Sequence, residues 1–448
     1  MSFPHWQDIG YFLIALTILI AVHELGHFLV ARWLGVGVLR FSIGFGRPLL
    51  RYRRRADTTE YVFAAIPLGG YVKMIDEREE EVAPEQLHLA FNRQALWRRA
   101  AIVAAGPAFN LLFAIFAYWL VFMAGETGLR AVVVSVAPDS PAAQAGFQEG
   151  DRLLRVGDRD ATIWEQALFA FMAESGRGRD LPVSVRDAAG CAQERLLDGE
   201  RLAALPMDAG IVRRLGLNPR PPHIPAIVGE LLPGEPAEQA GLQPGDRLLA
   251  GDGEPIRDWS QFVEMVQAHP GRELHLAIER SGVPLVLRLT PHAYEKNGKT
   301  LGRVGAAVMM DRLEVRYGPL AALGQAWDQT WDVSRLTVRM IGQLLVGRAS
   351  VENLSGPITI AKAAGETASS GWDSFVKFLA VVSISLGVMN LVPIPILDGG
   401  HLLYFFIEWI KGSPVSESVQ MQAQKVGIVL IAALMGLAFY EDLVRVFG

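Results

Sequence analysis

The chain carries a single cysteine, Cys191, among 448 residues. This excludes an intramolecular disulfide and any metal site built from thiolates, so chemistry at a metal must use nitrogen and oxygen donors. Charge is sparse as well. Only 20% of residues are Asp, Glu, Lys or Arg, the formal net charge is −5, and basic residues are dispersed among acidic ones. Bulk electrostatics therefore offer nothing to nucleic acid. Apolar side chains make up 51% of the chain, too many for an ordinary soluble protein of more than one domain. The balance points to a protein partly in a membrane and partly in water.

Four stretches are apolar enough to span a bilayer, for which a helix needs about 20 residues. They run from Ile9 to about Val30, Ala100 to Ala124, Phe375 to about Leu397, and Val426 to Tyr440. The last is short and calls for tilt or a thin membrane. The first lacks a basic start and a small-residue cleavage site and reads as a retained span, not a signal peptide. The loop between the first two spans holds Arg32, Arg40, Arg47, the cluster "RYRRR" (51–55), Lys73, Arg78, Arg93, Arg98 and Arg99. The positive-inside rule makes this loop cytoplasmic, and Lys411, between the last two spans, agrees. Both termini and the long 125–371 segment then face the other side.

That long segment repeats itself. "SPAAQAGFQEGDRLL" (140–154) and "EPAEQAGLQPGDRLL" (235–249) agree at 11 of 15 positions, and Trp164 and Gln166 recur as Trp259 and Gln261. Two copies of one small domain are expected, with Gly150-Asp151 and Gly245-Asp246 as turns before strands. The pattern resembles PDZ domains in the strand-permuted order of bacterial proteases, which capture peptides by strand addition. The resemblance makes "RRLGLNP" (213–219) and "GRVGAAV" (302–308) the carboxylate-side loops.

Within the first span lies "HELGH". On a helix, His23 and His27 share a face and can aim two imidazoles at one metal ion, with Glu24 beside them. Zinc held by three protein groups keeps a position for water and lowers its pKa to about 7, and a carboxylate alongside can take the proton as that water attacks a carbonyl. An ionisable group at the centre of a span costs about 2.5–3.5 kcal/mol or more, so three together call for a partner or a function. The third ligand must come from elsewhere. Asp398, in "NLVPIPILDGGH" (390–401), is the one acid within its apolar stretch; it reads either as a ligand or as part of an Asp-Gly turn. The first and third spans run in the same direction and carry these residues near the same end, so they arrive at one depth. His401 is a rival ligand or a cap of the following helix. In the cytoplasmic loop, "EYVFAAIPLGGYVKM" (60–74) has β-favouring residues on either side of a Pro-Leu-Gly-Gly break. It is expected to fold on itself as a membrane-dipping hairpin whose edge strand meets an unwound substrate; the other reading is an amphipathic loop on the lipid surface. Gly106, Pro107 and Asn110 in the second span read as packing and kink residues or as a water path.

Together these residues resemble the site-2 proteases, zinc metalloproteases that cut within membranes. The resemblance covers nearly the whole chain, through "HELGH", "FSIGFG" (41–46), "IPLGGYVKM" (66–74), "AAGPAFN" (104–110), the PDZ pair, "NLSGPI" (353–358) and "NLVPIPILDGGH". It implies His23, His27 and Asp398 as zinc ligands, Glu24 as general base, and Asn390, Pro393, Gly69 and Gly70 as substrate contacts. Ser385 departs from the pattern, standing where relatives can carry an asparagine. The resemblance also implies a multi-pass protein of a Gram-negative inner membrane, with the site near the cytoplasmic side and the PDZ pair in the periplasm. Its substrates would be single-span membrane proteins already trimmed by another protease, of the anti-sigma-factor type, and remnant signal peptides. The PDZ pair would act as a size filter or contact trimmed C-termini. A PDZ-bearing membrane scaffold or a metal transporter is the alternative; the scaffold would not need Glu24, and the transporter would show polar residues in several spans.

The expected architecture is a polytopic α-helical membrane protein of four spans, with two α+β PDZ-like domains between spans two and three. Its parts are a first span (1–38), a cytoplasmic loop with the hairpin (39–98), a second span (99–125), PDZ-like domains (126–220 and 221–310), an amphipathic connection (311–371), a third span with the LDGG motif (372–410), and a cytoplasmic turn with the fourth span (411–448).

Overall fold

The structure is a computed structural model that describes residues 5–53, 59–78, 81–175, 178–205, 210–218, 224–296, 299–345 and 356–447. Arg54 and Arg55 of the basic cluster, the expected boundary at 220/221 and the first residues of "NLSGPI" lie outside these. Two compact units emerge: residues 1–126 with 315–448, and residues 127–314.

The first unit is mainly helical. Helix α1 (Trp6–Trp33) starts at a capping box in which His5 N donates to Asp8 Oδ2 at 2.7 Å. The chain leaves the helix through Gly35, whose φ of 81° suits glycine. Strands β1 (Val38–Arg53) and β2 (Glu60–Met74) follow, then α2 (Leu96–Ala124), which contains Pro107. After the second unit come α3 (Pro319–Leu345), α4 (Pro357–Ser370), α5 (Trp372–Leu391), α6 (Asp398–Lys411) and α7 (Glu417–Phe447). Among the described residues, α1, α2, α5 and α7 are long and apolar enough to cross a membrane, which makes this a polytopic membrane protein. Buried Ala114, Ala117 and Tyr118 of α2 pack with Ala322 and Ala326 of α3 and with Ala380 and Ile384 of α5. Small residues let these backbones approach where lipid removes the hydrophobic drive for helix association. At the other end of α2, Arg99 grips Glu408 of α6, with Nη2 to Oε1 at 2.5 Å and Nη1 to Oε2 at 3.3 Å.

Three expectations change. The third span ends at Leu391, six residues early, because Val392–Leu397 with its two prolines cannot continue the helix; Asp398 opens a separate helix. The fourth span is not short. Its helix continues through Glu417, Gln420, Gln422 and Lys425, good helix formers that depress hydropathy without ending the helix. Residues 60–74 do not fold on themselves, because β2 is one strand paired with β1. Arg40–Ile43 pair with Lys73–Gly70 on one side and with Glu60–Phe63 on the other, and Pro48–Arg53 pair with Ala64–Glu60. The centre of the sheet is thus filled by residues 40–43, which separate the two halves of β2. Gly44 and Gly46, at φ of 90° and 84°, supply the bend between the halves of β1.

The second unit contains two modules of matching element order. Each has a four-stranded sheet, with spatial order 159–160, 152–156, 181–186, 192–197 in one and 254–255, 247–251, 274–280, 283–289 in the other. Each packs one helix on that sheet, Trp164–Glu174 and Trp259–Ala268, through a buried phenylalanine, Phe171 or Phe262. Burying such a ring contributes roughly 1.5–3 kcal/mol. Asp151 and Asp246, from the repeated Gly-Asp pairs, are both buried. Asp151 accepts from Arg195 Nε at 3.1 Å and Asp246 from Arg280 Nε at 2.7 Å. The modules differ after the fourth strand: short helices 199–204 and 211–214 in one, a hairpin of 292–296 and 299–303 in the other.

Candidate metal centre

His23 and His27 lie one turn apart on α1, which sets their rings side by side with centroids 4.8 Å apart. Asp398 is the first residue of α6, and what delivers it is the double glycine behind it. A Cβ on Gly399 would lie 2.3 Å from Val392 O, and one on Gly400 2.4 Å from Ile394 O. Only glycine lets the start of α6 press against the backbone of the preceding loop and bring its carboxylate to α1. Asp398 Oδ2 reaches His23 Nε2 at 3.2 Å and His27 Nε2 at 3.5 Å, and the two Nε2 atoms stand 3.3 Å apart.

Three acceptor-capable atoms therefore form a nearly equilateral triangle. A tetrahedron of nitrogen and oxygen donors at zinc distances of about 2.0–2.1 Å has edges of about 3.3 Å, so the donor set fits that metal. Asp398 Oδ2 has no hydrogen-bond partner despite its burial, as expected of an atom reserved for a cation. Among the described residues this is the one group of three such side chains that converges. Room for it comes from α2, where a Cβ on Gly106 would meet His27 Nε2 at 2.3 Å and His23 Cε1 at 2.8 Å.

Both rings are held from behind. His27 Nδ1 is 2.8 Å from the Ile102 carbonyl, and His23 Nδ1 is 3.2 Å from the side-chain amide of Asn110. The packing, kink and water-path readings of Gly106, Pro107 and Asn110 did not include the Asn110 contact with His23, and Ile102 was not singled out. Gly106 and Asn110 are four residues apart and share a face of α2, but the sequence does not say that this face meets α1.

The other expected site residues are distributed around this centre. Gly70 abuts α1, since a Cβ there would lie 2.9 Å from Glu24 Cγ and 3.0 Å from Ile20 Cγ2. Gly69 has φ of 127° and lies against the Phe45 ring. Asn390 is in the last turn of α5, and Pro393 is in the break before Asp398. Ser385 Oγ donates to Val381 O in its own helix. His401 is outside the converging group, with its ring edge-on to Tyr404.

The profile of peptidase family M50 matches residues 11–434. The chain is 45% identical over 447 residues to the regulator of sigma-E protease RseP of Escherichia coli, covering 98% of both chains. It is 44% identical to protease RseP of Yersinia pestis, covering 97% of this chain and 98% of that one. It is also 42% identical to a Neisseria meningitidis protein named as a zinc metalloprotease, covering 98% and 99%. With family match and relatives spanning nearly its full length, the chain belongs to peptidase family M50, the zinc-dependent intramembrane metalloproteases of site-2 type.

Proposed function

We propose that His23, His27 and Asp398 hold the zinc ion and that Glu24 is the general base in hydrolysis of peptide bonds within transmembrane segments. The observation that carries this reading is the triangle of two Nε2 atoms and one carboxylate oxygen with 3.2–3.5 Å edges. A zinc ion bound there supplies Lewis acidity and makes water acidic enough to act as a nucleophile near neutral pH. Glu24 takes a proton from the attacking water and passes it to the departing amine. His23 and His27 would hold the metal through their Nε2 atoms.

A helical substrate presents carbonyls already engaged in its own hydrogen bonds, so it must unwind and find other partners. Residues 70–74 form an edge of the β1/β2 sheet, and Gly70 lies against Glu24. An unwound segment adding to this edge would meet the base directly, with Gly69, Gly70, Asn390 and Pro393 as substrate contacts. Exposed Phe45, Leu49, Leu50, Phe63 and Ile66 give the sheet an apolar surface suited to dipping into lipid.

The 126–220 and 221–310 modules are PDZ-like in this reading. Gly216 and Gly305, within the two carboxylate-side loops, have left-handed φ of 88° and 68°. The basic loop 32–99 supports an orientation with the catalytic centre near the cytoplasmic side and the modules in the periplasm of a Gram-negative inner membrane. There they act as a size filter. The names of the relatives point to substrates of the anti-sigma-factor type, trimmed beforehand to a single span; remnant signal peptides share that form.

Glu24→Gln tests the assignment on purified protein and a single-span substrate. Glutamine keeps the shape but cannot take the proton, so cleavage falls about 10²–10⁴-fold or more while zinc stays stoichiometric. Near-normal turnover removes Glu24 from the chemistry; wild-type protein that cuts equally well after zinc chelation removes the metal.

A further inference from the structure

We propose that Asn110 is a positioning residue that accepts a hydrogen bond from His23 Nδ1–H and so leaves the Nε2 lone pair facing the metal. The inference rests on the zinc-site reading above and deepens it.

The two histidines differ in what stands behind them. His27 Nδ1–H donates to a main-chain carbonyl, that of Ile102, which no substitution can remove. Among the described residues, the group behind His23 Nδ1 is the Asn110 amide, at 3.2 Å. For His23 Nε2 to offer its lone pair, the ring proton must sit on Nδ1, and the group behind it must accept. Asn110 meets this need through Oδ1. The amide is oriented with Nδ2 toward the ring, and Oδ1 is buried with no donor. The two ends are alike in size and exchange by a half-turn, and no bond to Oδ1 opposes that turn.

The frame around Asn110 is rigid. The residue is fully buried, and its main-chain carbonyl accepts from Ser383 Oγ of α5 at 2.8 Å. A Cβ on Gly387, also on α5, would stand 3.3 Å from Asn110 Cβ. The side chain thus projects from a fixed point where α2 meets α5, toward α1. Four residues earlier on the same face, Gly106 leaves the space the two rings occupy. Loss of a partner behind a metal-bound histidine weakens metal affinity about 10–100-fold.

The test uses full-length protein in detergent, stripped of metal and titrated with Zn2+ against a competing chromophoric chelator. Co2+ spectra of the same preparations report the geometry of the donors. Asn110→Leu keeps the branched shape but cannot accept, and its zinc affinity falls 10–100-fold with an altered Co2+ spectrum. Asn110→Asp can only accept, and it retains affinity within about threefold and the wild-type spectrum. The aspartate variant carries the decision even where the leucine variant does not fold, because a role that needs the Asn110 NH2 group predicts that it binds zinc more weakly. Unchanged affinity in folded Asn110→Leu, or an Asn110→Asp variant that binds at least tenfold more weakly than wild type, overturns the inference and leaves the zinc site standing. Wild-type protein that binds no zinc overturns the site reading itself.

Discussion

Asp246 and Asp398 are carboxylates withdrawn from water, one in each unit, and they are treated in opposite ways. Asp246 is closed on every side: Arg280 donates through Nε at 2.7 Å and Nη2 at 2.8 Å, and Gln243 N donates at 2.8 Å. Asp151 has the same arrangement with Arg195 and Gln148 N. In the membrane unit, Asp442 of α7 is likewise satisfied, at the start of α4, by Ile358 N at 2.8 Å and Thr359 N at 3.2 Å. Asp398 alone among these four has an oxygen without a donor, facing two imidazole nitrogens. The open oxygen of Asp398 is one that a cation between it and the two imidazoles would satisfy, in line with the proposed zinc site.

The sharpest break of this comparison is Asp398→Asn. An amide is a poor zinc ligand, so zinc content and cleavage should both fall by more than about 100-fold, beyond the loss of a partner behind a ligand. Stoichiometric zinc with persistent cleavage would return Asp398 to the role of a turn residue and promote His401. Next in size is removal of residues 130–310. The metal site draws on none of them, so elemental analysis should find zinc retained, and substrates with untrimmed ectodomains should become cleavable. Failure to cut trimmed and untrimmed substrates alike, with zinc bound, would rule out the filter.

The closed carboxylates give smaller effects. Arg280→Met leaves Asp246 buried without its cation and should destabilise the 127–314 unit, read as a lower unfolding midpoint of the full-length protein. Arg195→Met should cost less, because its bonds to Asp151 are longer, at 3.1 and 3.3 Å. Equal losses would mean that bond length does not rank the two clasps. The smallest effect is on pH dependence. Hydrogen bonds from Arg280 hold the Asp246 carboxyl below its usual value of 3.8. A depressed folded value means that the stabilisation is present above about pH 4 and is lost as pH falls through the folded value. Wild-type protein should therefore lose stability in acid more steeply than Arg280→Met, and parallel curves would show that the clasp does not titrate.

Much of the candidate centre was legible because its logic is local. A four-residue spacing sets His23 and His27 on one face, and a lone acid in an apolar run, carried by a span of the same direction, singled out Asp398. The repeat was legible as eleven identities at fixed offset. Pairings across the fold were not. β-propensity marked residues 60–74 as extended, but nothing in them names residues 40–43 as the strand that separates their two halves, since partner choice is non-local. The clasps escaped for a related reason. The aspartates repeat, but Arg195 lies on the fourth strand of its sheet and Arg280 ends the third, so no common offset marks them. Asn110 was visible as a polar residue in a span; its meeting with His23 depends on how α2 is turned against α1.

The glycines around the centre have a mechanical consequence. Where Gly399 and Gly400 seat α6 on the preceding loop and Gly106 seats α2 against the histidines, main chain rests on main chain or directly on the rings. At these seams there are no side chains to rotate out of the way. Such a joint cannot widen by small rotamer changes: admitting a peptide requires a whole element to shift, and closing again restores the same donor triangle. Flexibility for substrate passage must therefore reside away from these seams.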